Sequence, residues 1–164
     1  MARNRGDTKL FLIHCSATKA RQDIGLREIN QWHEKRAIYS DRGLTGYHFV
    51  IRRDGTVELG RELREIGAHA LGYNDTSVGI CLVGGVKGKD LEPHDNFTSS
   101  QLVALEEVLR MLWLVWPEAH AIPHNLVAAK ACPSFDVWTW LESTFNEDNR
   151  LAAMAVVNAI DGRS

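Results

Sequence analysis

The sequence predicts a single α/β domain in which α-helices flank a central mixed β-sheet. Its 164 residues and 45% hydrophobic composition suit one domain with a substantial core, because a domain of this size buries roughly 70% of its unfolded surface. Up to residue 143, strand-like apolar runs and segments of helical periodicity follow one another in the order β α β β β α β α, which is typical of helices packed on one sheet. No internal repeat or low-complexity linker divides the chain.

Five segments have the pattern of β-strands, and they span residues 9–15, 46–52, 56–59, 77–83 and 119–122. The first and fourth, KLFLIHC and SVGICLV, are nearly continuous apolar runs, as expected of strands that are covered on both faces. The second and third flank Asp54 and Gly55, and a two-residue Asp-Gly loop favours a hairpin with a primed turn. We therefore expect all five strands in one sheet.

Four segments predict helices, at residues 25–38, 98–116, 134–143 and 151–160. In the second, apolar residues fall three and four positions apart until Pro117 stops the helix, and Thr98 and Gln101 are placed to form a capping box. The last is apolar but only ten residues long, which suits a packed or interfacial helix better than a membrane span. The residues expected to face the core are Leu26, Ile29, Trp32 or His33, Ile38, Leu102, Leu105, Leu109, Leu112, Trp116, Phe135, Trp138 and Leu141.

Composition narrows the classes of function. Nineteen basic and 21 acidic residues give a net charge of −2, so no global positive field draws the protein to nucleic acid, and we expect no direct nucleic-acid binding. The apolar runs are too short for a signal peptide or a transmembrane segment, which predicts a cytoplasmic start. Three cysteines are an odd number for a disulfide framework, so we expect thiols, one of which is a candidate metal ligand.

Three distant side chains form a candidate metal site. His14 ends a buried strand, where open α/β sheets place functional groups, and His124 precedes Cys132 by eight residues. Lys130, two residues before the cysteine, is expected on the same side of the chain, where its ammonium would favour a thiolate. Two imidazoles and one thiolate make a three-ligand zinc site with an open fourth position. The alternative is a buried cysteine beside a surface lysine.

The sequence resembles the zinc-dependent N-acetylmuramoyl-L-alanine amidases of the peptidoglycan-recognition type, and most closely the small lysozymes of podovirus bacteriophages. The matching stretches keep their order over about residues 10–141 and are FLIHCSATKA, GLREINQWHEK, GYHFVIRRDGTVELGR, GAHALGYNDTSVGICLVGG, NFTSSQ and KACPSFD. The segment AIYSDRGLT is a few residues longer than in the close relatives, and the extension after Asn146 lies outside the pattern.

The resemblance implies the roles of individual residues. It implies that one zinc ion is bound by His14, His124 and Cys132, and that Tyr47 and Lys130 are the catalytic pair beside it. It also implies that a peptidoglycan groove crosses the zinc and that His69 and Asn74 contact the substrate there.

Each of these assignments has a structural alternative. Without the resemblance, a tyrosine at the position of Tyr47 would more often be a packing residue. His69 and Asn74 would then only stabilise a loop. His120 competes with His124 but lacks its distance to the lysine and cysteine. Four arginines line either a basic rim for peptide carboxylates or ordinary surface; they are Arg52, Arg53, Arg61 and Arg64. The histidines at 33, 48, 94 and 120 are expected to be non-ligands, and we expect Cys15 and Cys81 in the core.

The function that the resemblance implies is that of a phage endolysin, which hydrolyses the amide bond between N-acetylmuramic acid and L-alanine and so lyses the host. We expect a flexible arm at residues 1–8, a zinc amidase domain at 9–146, a C-terminal helical extension at 147–164, and a monomer. The enzyme would collect in the host cytoplasm and reach peptidoglycan after a separate holin-type protein opens the membrane. Alternatives are inhibition of the phage single-subunit RNA polymerase, muropeptide recycling in the cytoplasm, and recognition without catalysis.

Overall fold

The computed structural model describes residues 5–35, 45–146 and 148–162. Within these ranges the strands are β1 (Leu10–Cys15), β2 (Thr18–Lys19), β3 (Phe49–Ile51), β4 (Val57–Leu59), β5 (Ser77–Leu82), β6 (Gly85–Lys87), β7 (Glu92–Pro93) and β8 (His120–Pro123). The helices are α1 (Leu26–Lys35), α2 (Ser99–Val115), α3 (Val137–Phe145) and α4 (Arg150–Ile160), and a 3-10 turn spans His124–Leu126.

The main sheet has five strands in the order β4-β3-β5-β1-β8. β1 lies between β5 and β8 and is parallel to both, whereas β3 and β4 form an antiparallel hairpin. In this register His14 lies opposite Cys81, and Ile13 lies opposite Pro123. All five predicted strands are therefore present in one mixed sheet, and the predicted fold class is confirmed.

Alternation along β1 separates the two faces of the sheet, because successive side chains point in opposite directions. Phe11 and Ile13 pack in a cluster with leucines of α2 and with Val137 and Leu141 of α3. Leu10 and Leu12 pack against α4 and residues 70–73. His14 continues the second series, so it faces α4's side of the sheet at the carboxyl end of the central strand.

The hairpin between β3 and β4 has a different turn from the predicted one. Gly55 N–H donates to Arg52 O, and Arg52 N–H donates to Thr56 O, both at 2.9 Å. Gly55 has φ +88°, whereas Asp54 is not among the described residues with positive φ. A primed type I′ turn needs positive φ at both central residues. The loop is therefore three residues long, with Gly55 in the left-handed position, and the prediction of a two-residue turn was wrong.

A second, three-stranded sheet in the order β2-β6-β7 was not predicted. Its strands are only two or three residues long and read TK, GVK and EP. Such segments contain no apolar alternation, so no periodic signal marks them as strands.

The helices follow the predicted pattern with shifted ends. At α2, the Thr98 side chain accepts from Gln101 N–H while the Gln101 side chain accepts from Thr98 N–H, which confirms the capping box. α3 begins later than predicted, because the Asp136 side chain caps it by accepting from Thr139 N–H. α1 is described as far as Lys35. The rest of predicted helix 25–38 and most of the longer segment after it, residues 36–44, lie outside the described residues.

Both ends of the chain contact the body where they are described. Arg5 donates hydrogen bonds from its side chain to Thr8, Ser77 O and Leu63 O, and its guanidinium lies 5.2 Å from the Trp116 ring centroid. Residues 1–4 lie outside the described residues, so the flexibility of arm 1–8 stays a prediction. α4 matches the predicted tail helix, and no described helix is long and apolar enough to cross a membrane.

Acid should destabilise the fold in part through His48, a buried ring that joins strand β5 to the loop that contains Glu65. Its Nδ1 accepts from Gly79 N–H, and its Nε2 lies 3.0 Å from Glu65 O. Burial lowers the pKa of His48 from 6.5 to about 4. Because the unfolded chain has the ordinary pKa, it takes up the proton first as the pH falls. The stability that the neutral, buried His48 ring contributes is fully present above about pH 6.5. It is lost as the pH falls from about 6.5 to about 4, and the total loss is about 3 kcal/mol.

We expect the free energy of unfolding to fall less steeply between pH 7 and 4 in His48→Gln than in the unmodified chain. Urea denaturation in the presence of a chelator measures it for both proteins. His94→Gln is the matched control, because His94 is exposed. Equal slopes in all three proteins would show that His48 does not carry this acid sensitivity.

Candidate active site

Parallel pairing of β1 and β8 brings two histidines together. His14 lies near the end of β1, and His124 follows β8 directly, at the start of the 3-10 turn. The carboxyl ends of neighbouring parallel strands meet at one edge of a sheet, and here the two ring centroids are 4.2 Å apart. His120 begins β8 at the opposite edge. The prediction that His124, and not His120, joins His14 is therefore supported by the topology.

Cys132 reaches the same place because its loop folds back on the 3-10 turn. Asn125 N–H donates to Cys132 O at 2.8 Å, and Cys15 N–H donates to Cys132 Sγ at 3.2 Å. Cys132 Sγ lies 4.0 Å from His14 Nδ1. One ligand atom each from His14, His124 and Cys132 lies within 4.8 Å of the others. The structure thus brings together the three predicted metal ligands.

The donor set fits a zinc ion. Nδ1 of His124 is buried and has no hydrogen-bond partner among the described residues, as expected of an atom that needs a metal. Burial lowers the pKa of His14 well below its ordinary value, and burial together with Lys130 lowers the pKa of His124 to about 4. Both imidazoles are therefore neutral at pH 7, the form that binds metal.

The Cys132 thiol lies beside a second thiol, that of Cys15. Its contact with the Cys15 thiol, together with burial, raises the pKa of Cys132 above the ordinary value. The same contact lowers the pKa of Cys15 to about 7, and the expectation that Lys130 favours a thiolate at Cys132 stays a prediction. Cys15 is buried, as expected, but its thiol lies beside the proposed ligand and near Ser134. Binding of a metal cation would favour the thiolate form of Cys132.

A cavity of about 360 Å³ opens over the three ligands, and both predicted catalytic residues line it. Lys130 is exposed at its wall. The Tyr47 ring lies between two histidine rings, with centroids 5.2 Å from His14 and 5.3 Å from His33. Burial raises the pKa of Tyr47 well above its ordinary value, so its hydroxyl is a hydrogen-bond donor at neutral pH.

The two predicted substrate contacts have different surroundings. His69 lines the cavity and its Nδ1 lies 3.0 Å from His14 Nε2. Asn74 is not among the lining residues, and its side-chain oxygen accepts from His69 N–H and Ala70 N–H. This favours the alternative of loop structure for Asn74, while a substrate contact by His69 stays a prediction.

None of the four arginines considered for a basic rim lines the cavity in the described chain. Arg52 pairs with Asp23, Arg53 donates to Val83 O, and Arg61 donates to Thr45 O. These three side chains therefore hold loops together. A basic rim made by arginines is not supported by these contacts.

Helix α1 supplies cavity residues that the helical pattern predicted only as core residues. Trp32, His33 and Ile29 line the cavity together with the proposed ligands. His33 Nδ1 accepts from Gly46 N–H at 3.0 Å and lies 2.9 Å from Thr45 Oγ1, so it fixes the approach to Tyr47. The signal was present in the motif GLREINQWHEK, but helical spacing alone does not separate a core-facing ring from a cavity wall.

Comparison with known proteins identifies the family and the fold. The family model described as N-acetylmuramoyl-L-alanine amidase matches residues 4–135. The endolysin of Enterobacteria phage K11 is 50% identical over 139 residues, which cover 85% of this chain and 89% of that protein. The endolysin of Klebsiella phage KP32 is 49% identical over 138 residues, which cover 84% of this chain and 88% of that protein. The solved N-acetylmuramoyl-L-alanine amidase LysC from Clostridium intestinale URNW shares the fold, with a TM-score of 0.71, 24% identity and coverage of 85% and 86%.

The chain belongs to the N-acetylmuramoyl-L-alanine amidase family. Within this family it is an amidase of the phage endolysin type, and peptidoglycan is its substrate class. The resemblance that the motifs indicated, the fold class and the enzyme activity are therefore confirmed.

Proposed function

We propose that the amidase uses one zinc ion per chain, held by His14, His124 and Cys132, with Tyr47 and Lys130 as the catalytic pair. The observation that carries this proposal is the meeting of the three ligand atoms within 4.8 Å at the base of a cavity that both other residues line. Three protein ligands with an open side are typical of a catalytic zinc site, since structural sites use four.

The reaction adds water to the lactyl carbonyl of N-acetylmuramic acid and releases the amino group of L-alanine. Bound zinc supplies a Lewis acid and lowers the pKa of water to near 7. Negative charge that develops on the carbonyl oxygen is stabilised by the Lys130 ammonium. Tyr47, a donor at neutral pH, gives a hydrogen bond to that oxygen or passes its proton toward the leaving amine.

The remaining expectations belong to this proposal. Residues 9–146 form the zinc amidase domain, between the arm at 1–8 and the helical extension at 147–164. The chain acts as a monomer, is made in the host cytoplasm, and reaches peptidoglycan after a holin-type protein opens the membrane. Inhibition of the phage RNA polymerase and muropeptide recycling stay predictions, and a cognate-polymerase pull-down and a comparison of intact sacculi with small muropeptides test them.

Digestion of purified Gram-negative sacculi should release new L-alanine amino termini and no new reducing sugars. The reason is that hydrolysis of the lactyl amide frees the stem peptide and leaves the glycan chain intact. Mass spectrometry of the products, with and without a chelator, measures both the bond cleaved and the need for metal. New reducing ends would make the enzyme a glycosidase, and full activity after complete removal of metal would exclude the zinc assignment.

A further inference from the structure

His69 contacts the ring of His14 on the side away from the other ligands. Its Nδ1 lies 3.0 Å from His14 Nε2, with the two rings at 87° to each other. The other nitrogen of His14, Nδ1, faces Cys132 Sγ at 4.0 Å. His14 therefore uses one ring nitrogen toward His69 and presents the second to the metal site.

The hydrogen bonds of Ser77 determine which of the two ring nitrogens donates in this contact. Ser77 Oγ lies 2.6 Å from Tyr73 O, and a carbonyl oxygen can only accept, so the single hydroxyl hydrogen of Ser77 is used there. Nε2 of His69 lies 3.5 Å from Ser77 Oγ, which is left to accept. A neutral His69 with its proton on Nε2 has a lone pair on Nδ1. His14 must then donate from Nε2, and its own Nδ1 keeps the lone pair that a metal needs.

Two glycines leave the space that the His69 ring occupies. A Cβ atom at Gly79 would lie 2.6 Å from Cγ and Cδ2 of His69, and one at Gly67 would lie 2.4 Å from Cδ2. Gly79 is in the middle of β5, where a glycine weakens a strand and often marks the close approach of another group. The approaching group here is the His69 ring.

We propose that His69 is a positioning residue that orients His14 and fixes its tautomer, so that Nδ1 of His14 faces the metal. This inference rests on the proposed zinc site. It adds to that site a hydrogen-bond chain in which His14 donates to His69 and His69 donates to Ser77. Loss of such a partner costs roughly 10–100-fold in metal affinity.

A matched pair of variants tests the hydrogen bond separately from the space that the ring fills. Asparagine places an oxygen acceptor near the position of Nδ1, whereas leucine has a similar size and no acceptor. Competition with a chromophoric chelator should show zinc bound roughly 10–100-fold more weakly by His69→Leu, with most of the affinity restored in His69→Asn. Equal zinc affinity in both variants and the unmodified chain would overturn the proposal and leave His69 as a substrate contact.

A measurement on the unmodified chain needs no variant to fold. The ¹⁵N chemical shifts of the metal-free protein report which nitrogen of His14 carries the proton. The proposal requires the Nε2–H tautomer, and a protonated Nδ1 would overturn it. Failure of the zinc site itself has a different signature, because the unmodified chain would then bind no stoichiometric zinc.

Discussion

Cys132→Ser should lose zinc and amide hydrolysis together. The sulfur is the one ligand that carries negative charge when bound, and a serine hydroxyl does not ionise near neutral pH, so two neutral imidazoles would be left to hold the ion. Because Cys132 is a proposed direct ligand, the loss of affinity should exceed the roughly 10–100-fold expected for an outer hydrogen bond. Zinc content by elemental analysis and release of L-alanine amino termini from sacculi measure the two effects on the same preparation.

Cys15→Ser is the matched control for this substitution. Cys15 is buried and its backbone N–H, which serine retains, donates to Cys132 Sγ. The control makes the same chemical change next to the site without removing a proposed ligand, so we expect near-normal zinc content. A Cys132→Ser protein that keeps both zinc and activity would refute the ligand assignment. Equal losses in both variants would indicate general damage to this loop.

The prediction that His14, His124 and Cys132 lie together is supported by the structure, because topology makes up for distance along the chain. A histidine at the end of a buried strand can be recognised in the sequence, and His124 follows another predicted strand. Once those strands are neighbouring and parallel, their ends have to meet. The position of Cys132 depends on an irregular loop, which periodicity does not describe. Its spacing to His124 and Lys130 made it a candidate, and the resemblance implied the assignment.

The features that the sequence did not reveal depend on close contacts between segments that lack a periodic pattern. Cys132 contacts Cys15, which lies 117 positions away, and the contact between the two thiols raises the pKa of Cys132. The contact of His69 with His14 spans 55 positions and depends on the absence of a side chain at Gly79. A glycine inside a strand was visible in the motif, but the sequence does not say which group approaches it.

Tyr47→Phe should reduce turnover by roughly 10²–10³-fold while zinc content stays near one per chain. The substitution removes only the hydroxyl, and the ring that packs between His14 and His33 remains. A donor that acts mainly on the developing charge lowers kcat more than it raises KM when it is removed. Steady-state kinetics on a soluble muropeptide, combined with elemental analysis, separate this effect from loss of metal.

Tyr73→Phe is the matched control, because it removes a hydroxyl that donates to Asp161 and leaves the Tyr73 backbone unchanged. It should lower stability slightly, by about 1 kcal/mol, and keep normal turnover. If Tyr47→Phe loses zinc in proportion to activity, the hydroxyl supports the metal site and does not act on the reacting amide. If instead it turns over at the normal rate, Tyr47 is a packing residue, and Lys130 is left as the protein's own source of charge stabilisation beside the zinc ligands.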